Sequence, residues 1–255
     1  MKKVMILLPA YNEEQQVESS VYKLHKYCTN NLNGYDWEIV IGDNNSKDST
    51  LKKAKKLSEK FKRVNYIHLN QKGRGRIIMK SWSKSDSDIC MYMDMDLSTN
   101  LKHVKNLIKA IDKEGFDIAI GSRNLKNSKV EKRGLKRTLV SKAYIILIKL
   151  LHNVSFTDSN CGFKAASRKA INLVFPLIKP EFWDKGSPNG CAWFWDVEFL
   201  IIAEKLSLSI YEEAVKWTDD PGTTVNVLRD SLEHFRGILR LKKTKPWKIP
   251  LSGTK

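Results

Sequence analysis

The chain has 255 residues, of which 42% are hydrophobic, enough to bury the core of one α/β domain with insertions. A formal net charge of +17, from 45 Lys and Arg against 28 Asp and Glu, predicts polyanionic partners: anionic lipid, phosphorylated substrates or nucleic acid. Cys28, Cys90, Cys161 and Cys191 form no CxxC pair, which excludes a zinc pattern or disulfide framework and makes a reducing, cytosolic setting the default; no stretch reaches the ~18–20 uninterrupted apolar residues that span a bilayer.

The apolar run 4–10 follows a short basic end. Tyr11, Asn12, Glu13 and Glu14 stand where a cleavable leader needs small residues, so the run reads as a buried first strand. Further strands are predicted at 37–41, 64–69, 89–93 and 116–120, each followed by a loop or a helical pattern. That rhythm indicates a mostly parallel sheet covered by helices on both faces. Leu101, Val104, Leu107, Ile108 and Ile111 recur at helical spacing after caps at Ser98, Thr99 or Asn100. From about 126 to 160 the rhythm changes to a basic loop, the apolar segment AYIILIKLL and a polar turn. A short segment at 163–166, an amphipathic segment near 199–206, a strand at 208–215 and a basic, helix-patterned tail at 225–243 follow.

The motifs fall at the predicted strand ends, where ligands bind in open α/β sheets. Asp94 and Asp96, in Tyr92-Met93-Asp94-Met95-Asp96, are carboxylates spaced i, i+2 that can share one hard cation, Mg2+ or Mn2+, with a diphosphate. Pro9-Ala10-Tyr11-Asn12-Glu13-Glu14 closes the first strand and Asp43-Asn44-Asn45-Ser46-Lys47-Asp48-Ser49-Thr50 the second. Each offers acceptors to a nucleoside or caps to the following helix. Asn70-Gln71-Lys72-Gly73-Arg74-Gly75-Arg76 closes the third; its glycines permit close approach, and Lys72, Arg74 or Arg76 can offset diphosphate charge. It is neither a Walker loop nor a GxGxxG fingerprint.

Basic residues cluster: eight lie between 123 and 142 against the single acid Glu131, and eight more follow from 229 against Asp230 and Glu233. Scattered lysines of this kind mostly serve solubility. Next to AYIILIKLL, the first cluster predicts peripheral docking on an anionic membrane surface, with shallow insertion of Ile145, Ile146 and Leu150.

Taken in order, PAYNEE, DNNSKDST, NQKGRGR, DMDLST, Gly121-Ser122-Arg123, DSNCGFK at 158–164, Trp195-Asp196-Val197-Glu198 and the stretch from Trp217 to Asp230 resemble the family-2 glycosyltransferases. Within them the resemblance is to the dolichyl-phosphate glucosyltransferase and dolichyl-phosphate mannose synthase branch. It implies a GT-A fold, with a Rossmann-like, mostly parallel sheet flanked by helices, in one domain: residues 1–125 bind the nucleotide sugar and 126–255 the acceptor. It also implies an inverting, metal-dependent hexosyl transfer from a nucleotide sugar, UDP-glucose favoured and GDP-mannose the alternative, to a polyprenyl or dolichyl phosphate. On this resemblance Pro9, Tyr11, Glu13, Asp43, Lys72, Arg74 and Asp94 bind the nucleotide sugar, with Asp43 on the base, and Asp94 and Asp96 hold the metal. Asp96, Asp158 and Asp196 have catalytic, positioning or base roles. Arg123, Arg133, Arg137 and Ser141 bind the acceptor phosphate, Arg137 and Ser141 sharing a helix face at i, i+4. Asn44 departs from the family's usual second acid, and Thr223-Thr224 from its usual Ser-Lys. The expected setting is the cytoplasmic face of a membrane, held peripherally or through a membrane-anchored partner subunit. Transfer to a glycan or protein hydroxyl is the first alternative reading; a basic nucleic-acid-binding protein is the distant one, since no specific nucleic-acid motif is present.

Overall fold

The computed structural model describes residues 1–132, 134–180, 194–219 and 227–248. Strands β1 (Lys3–Ala10), β2 (Asp36–Asn44), β3 (Val64–Leu69) and β4 (Ile89–Met93) alternate with helices α1 (Val17–Asn31), α2 (Thr50–Lys60) and α3 (Arg74–Lys84). After β4 come α4 (Val104–Asp112), β5 (Ile118–Ser122), β6 (Lys129–Glu131), α5 (Leu135–His152), β7 (Phe163–Ser167) and α6 (Arg168–Val174). Helix α7 (Trp195–Lys205), β8 (Ile210–Ala214), β9 (Lys216–Thr218) and α8 (Val227–Thr244) follow.

Seven strands form one sheet in the order β3-β2-β1-β4-β7-β5-β8, and β6 and β9 form a parallel pair beside it. β7 alone runs antiparallel, between β4 and β5. The parallel strands therefore end at one edge, and β7 begins at that edge. Side chains alternate across β1 as the pleat requires: Val4, Ile6 and Leu8 enter the core under α1, α2 and α4, whereas Met5 and Leu7 enter the core under α3 and α5 to α8.

The predicted strands appear within a few residues of their expected bounds. β5 starts at Ile118 rather than Phe116, because Phe116 still donates its N–H to the Ala110 carbonyl in the turn out of α4 (3.0 Å). The helix expected from Leu101 opens as one 3-10 turn, with Asn100 accepting from the Lys102 N–H at 3.0 Å, and becomes α-helical at Val104. Helix α7 is not amphipathic: every residue from Trp195 to Ala203 is buried, including Asp196 and Glu198. A helix buried all round has no solvent face for acids, so each needs an internal partner.

Helix α3 reaches α7 through Gly75, where a Cβ would lie 2.6 Å from Cβ and 2.8 Å from Cγ of Trp195. Trp195 is itself fixed, stacked on Phe199 at 5.2 Å and edge-on to Trp82 at 5.9 Å. Gly75→Ala should therefore destabilise by about 1–3 kcal/mol through overpacking. Thermal unfolding checks this, at roughly 2–4 °C per kcal/mol for a chain of this size; an unchanged midpoint would mean the α3–α7 contact yields freely.

Candidate functional site

β4 ends in the two carboxylates. Its register partner across the sheet is the start of β7, Met93 opposite Phe163, and Asp94 donates its N–H to the Gly162 carbonyl at 3.0 Å. A Cβ at Gly162 would fall 1.8 Å from Asp94 Oδ2, so the carboxylate lies over a backbone that only glycine leaves open. The chain then turns through Leu97 at φ 52°, a left-handed conformation that a bulky residue adopts at a cost of about 1–3 kcal/mol. This turn brings the Leu97 N–H to the Asp94 carbonyl (3.1 Å) and the Ser98 N–H to Asp96 Oδ1 (2.9 Å), with the Ser98 hydroxyl donating to Oδ2. Asp96 is thus pre-oriented beside Asp94.

Arg74, the first residue of α3, pairs with Asp94 at 2.8 Å and lies over the Tyr92 ring at 5.1 Å. Beneath them is a second ion pair. Lys164, with 0% of its side chain exposed, sits 2.9 Å from Asp196 on α7 and donates to the Tyr92 hydroxyl (3.2 Å) and the Cys161 carbonyl. The Tyr92 hydroxyl in turn donates to Asp196. Burial, reinforced by Asp196, holds the Tyr92 phenol far above its usual range, so it acts only as a neutral donor and acceptor. Burial also raises the Asp94 carboxyl, Asp96 and Asp196 add to this, and Arg74 opposes it. Asp94 nevertheless keeps 37% of its side chain open to the cleft. Burial works against the Arg74 charge, but Asp94, with Tyr92 and Asp196 adding to it, outweighs burial and raises the guanidinium's pKa, so Arg74 stays a cation.

The loops after β1 and β2 are tied together. Asn12, at φ 57°, receives the Lys47 N–H (2.8 Å) and gives its own N–H to Ser46 Oγ (3.0 Å). The Glu13 N–H goes to Thr50 Oγ1 (2.8 Å), the Glu14 N–H to Asp48 (3.1 Å), and Glu14 accepts from the Ser49 N–H (3.0 Å). Asp48 also accepts from the N–H of Thr50, the first residue of α2, at 2.9 Å. The helix-cap expectation for these loops is therefore corrected: the N-cap residues of α1 and α2, Gln16 and Ser49, make no side-chain cap bond, and the motif side chains instead bond across from one loop to the other. Pro9 and Ala10 pair with Gly42 and Asp43, and Tyr11 carries Lys72 Nζ 3.9 Å from its ring centroid. Asp43, fully buried, binds His68 Nδ1 through Oδ2 at 2.6 Å, while its Oδ1 has no hydrogen-bond partner among the described residues. Asn44 Oδ1 accepts from the Gly73 N–H at 2.8 Å, joining the β2 and β3 motifs. An amide meets this contact as well as a carboxylate would, and without a further negative charge.

Arg123 and Asp158, given separate tasks by the resemblance, form one buried pair: Nε to Oδ2 at 2.7 Å, Nη2 to Oδ1 at 2.9 Å, and the Arg123 N–H to Oδ2 at 3.0 Å. Burial pushes the Asp158 carboxyl up, but Arg123 overcomes this and holds it below the usual range, which makes Asp158 a poor proton acceptor. Arg123 also lies over Trp217, 5.2 Å from the ring centroid. Arg133 lies outside the described residues, as do Thr223-Thr224; Arg137 is described only as a helical position of α5. Ser141 is half-buried one turn further along α5. Between the Asp96 turn and β9 opens a cavity of about 330 Å³, lined by Asp96, Ser98, Asn100, Lys216, Thr218 and Asp219.

Among the described residues no three His, Cys, Asp or Glu side chains are grouped to hold a cation alone. Two adjacent carboxylates, one pre-oriented and one open to the cleft, suit a hard cation whose other ligands come from phosphates, so the residues fit Mg2+ or Mn2+. Lys164, His68 and Gly162 were not singled out from sequence. A lysine inside the apolar run of β7 was the one available signal, since such a residue needs a buried anion.

A model of glycosyl transferase family 2 matches residues 5–175, which include the Asp94-Asp96 turn, Arg74 and Lys164. The chain belongs to glycosyl transferase family 2. Relatives of this family-2 chain include the Haloferax volcanii glycosyltransferase AglD, 30% identical over 238 residues, covering 93% of this chain and 36% of AglD. The Dictyostelium discoideum dolichyl-phosphate beta-glucosyltransferase is 28% identical, with 93% and 73% covered, and the Pyrococcus furiosus dolichol-phosphate mannosyltransferase 34% identical, with 68% and 48% covered. The chain thus spans about a third to three-quarters of the length of these relatives. Mycobacterium tuberculosis glucosyl-3-phosphoglycerate synthase in complex with UDP shares the fold, at a TM-score of 0.63, 20% identity, and 99% and 82% coverage. The same enzyme with Mn2+, UDP-glucose and phosphoglyceric acid also gives 0.63, at 18% identity.

Within this family-2 site the Lys164–Asp196 pair is testable by itself. Lys164→Met leaves a buried carboxylate without its cation and should cost about 3–5 kcal/mol. Adding Asp196→Asn should recover part of that loss, because the two sites are directly coupled. Denaturant unfolding of the two single variants and the double variant checks this; additive losses would contradict the pairing.

Proposed function

We propose that the chain transfers a hexose from a nucleotide sugar, UDP-glucose, to a polyprenyl or dolichyl phosphate, inverting the anomeric carbon. The observation that carries this reading is the strand-end constellation of Asp94, Asp96 and Arg74, two acids and one cation at the same strand end. Mn2+ bound in glucosyl-3-phosphoglycerate synthase together with UDP-glucose supports a cation here, and relatives named for dolichyl phosphate support the acceptor. Asp94 and Asp96 would hold Mg2+ or Mn2+ against the diphosphate. The cation would supply charge stabilisation for the departing nucleoside diphosphate.

In this reading residues 1–125 bind the donor and 126–255 the acceptor. Lys72 and Arg74 face the diphosphate; Pro9, Tyr11 and Glu13 line the nucleoside. The lone oxygen of Asp43 matches one N–H of a base. Arg123, oriented by Asp158, joins Arg133, Arg137 and Ser141 at the acceptor phosphate. Such a phosphate is already an anion at neutral pH and needs little help from a general base, which agrees with Asp158 being engaged by Arg123 and Asp196 by Lys164. Both would position partners rather than take protons.

The acceptor must be met at a membrane. No described helix is long and apolar enough to cross one. On α5, Leu139, Val140, Ile146 (56% exposed) and Leu150 (77%) face outward among basic residues, and on α8 so do Phe235 and Leu239. Ile145, expected to insert with Ile146 and Leu150, is instead packed in the core. These faces would dock the protein on the anionic, cytoplasmic side of a membrane, alone or with a membrane-anchored partner. Each basic residue near such a surface adds roughly 1 kcal/mol, screened beyond about 10 Å at 0.1 M salt.

A donor panel with polyprenyl phosphate, with and without Mn2+, tests the function: glucose from UDP-glucose should appear in organic-extractable product, and label only in water-soluble glycan would refute the acceptor. Asp96→Asn, isosteric and at the sheet edge, should lower turnover about a hundredfold or more with the fold intact. Arg137→Ala should raise the acceptor KM about tenfold or more while calorimetry shows unchanged UDP-glucose affinity; loss of donor binding would move Arg137 to the nucleotide. Binding to anionic vesicles should weaken with salt, and Ile146→Asp with Leu150→Asp should remove the salt-resistant part; sedimentation unaffected by either would place docking elsewhere.

A further inference from the structure

In the free protein the strand-end acids are already answered by internal cations. Arg74 and Lys164 stand against Asp94, Asp96 and Asp196, and Arg74 occupies Asp94 directly at 2.8 Å. A divalent ion approaching Asp94 alone meets that guanidinium as a like charge, and finds no third protein carboxylate, His or Cys grouped with the pair among the described residues. A diphosphate changes both conditions. It offers a guanidinium the paired oxygens that fit its fork, and it brings the oxygen ligands a hard cation requires. Its negative charge matches the cation's positive charge, so the two entering together leave the net charge of the site unchanged, whereas either entering alone shifts it.

Geometry favours such an exchange. Arg74 begins α3 directly after Gly73, whose backbone is fixed to Asn44, so the guanidinium swings from a stationary base. Asp94 is held from below by its own N–H to Gly162 and needs no movement to take a cation, since its side chain already opens to the cleft. We infer that Arg74 is a stand-in for the cation: it neutralises Asp94 in the free protein, and the diphosphate draws it away and releases Asp94 to the metal. This inference rests on the nucleotide-sugar reading above. Its consequence is that the metal binds as a complex with the nucleotide and not before it.

Mn2+ binding followed by electron paramagnetic resonance, without any turnover, decides the matter. Wild-type protein should bind Mn2+ at least about tenfold more tightly with UDP present than without. Direct coordination by the diphosphate contributes to that difference, so the discriminating arm omits UDP. There, Arg74→Gln should bind Mn2+ about tenfold more tightly than wild type, Arg74→Lys should stay near wild type because the charge remains, and Asp94→Asn should abolish the gain in an Arg74→Gln background. Arg74→Gln should also weaken UDP binding. Nucleotide-free Mn2+ affinity unchanged by Arg74→Gln would overturn the inference, and so would wild-type protein binding Mn2+ equally well with and without UDP, a comparison that stands even if the variant does not fold. Failure of wild type to bind Mn2+ even with UDP would refute the nucleotide-sugar reading itself, and this inference with it.

Discussion

A lysine without exposed surface exists only beside a fixed anion, and the Lys164–Asp196 contact imposes that condition on the centre of the molecule. Lys164 belongs to β7, which runs antiparallel to its neighbours, and Asp196 to α7, whose residues 195–203 are all buried, so the pair fixes how β7 and α7 meet. Tyr92 of β4 completes the contact through its hydroxyl, two residues before Asp94. The floor of the cleft is therefore a polar layer inserted into a hydrophobic core, and the groups above it inherit its rigidity. Its stabilising contribution is modest, because desolvation offsets most of the attraction; its effect is on where the strand-end acids point.

The other ties around the cleft are hydrogen bonds between motifs far apart in the chain. Asn44 joins the second strand's loop to the third through Gly73, and Arg123 is held by Asp158 from the segment before β7. Helix α8 enters the same framework from outside. Arg240 pairs with Glu198 on α7 at 2.7 Å, and a Cβ at Gly237 would lie 2.7 Å from the Phe194 ring just before α7. The helix with the outward Phe235 and Leu239 thus packs directly on the helix that carries Asp196.

The sequence made the parallel strands legible because each apolar run ends in a motif rich in Gly, Asp or Asn, and the order of those motifs carried the family resemblance and with it the GT-A architecture. Strand direction was not legible: FKAAS looks the same run either way, and only the register of β7 with β4 reveals that Gly162 lies under Asp94. The burial of α7 was obscured because its acids, Asp196 and Glu198, mimic a solvent face until their partners Lys164 and Arg240 are placed 32 and 42 residues away. The Arg123–Asp158 pair escaped for the same reason: ion pairing between distant residues leaves no local pattern. His68 was invisible as the partner of Asp43, since a histidine within an alternating edge strand reads as an exposed position.

The reciprocal hydrogen bonding between the loops after β1 and β2 makes the two motifs one object. Asn12, Glu13 and Glu14 spend their backbone or side-chain groups on Ser46 through Thr50, and those residues answer in kind. Lengthening either loop by one residue would unzip both, so neither can drift alone. A graft onto another scaffold would have to carry both.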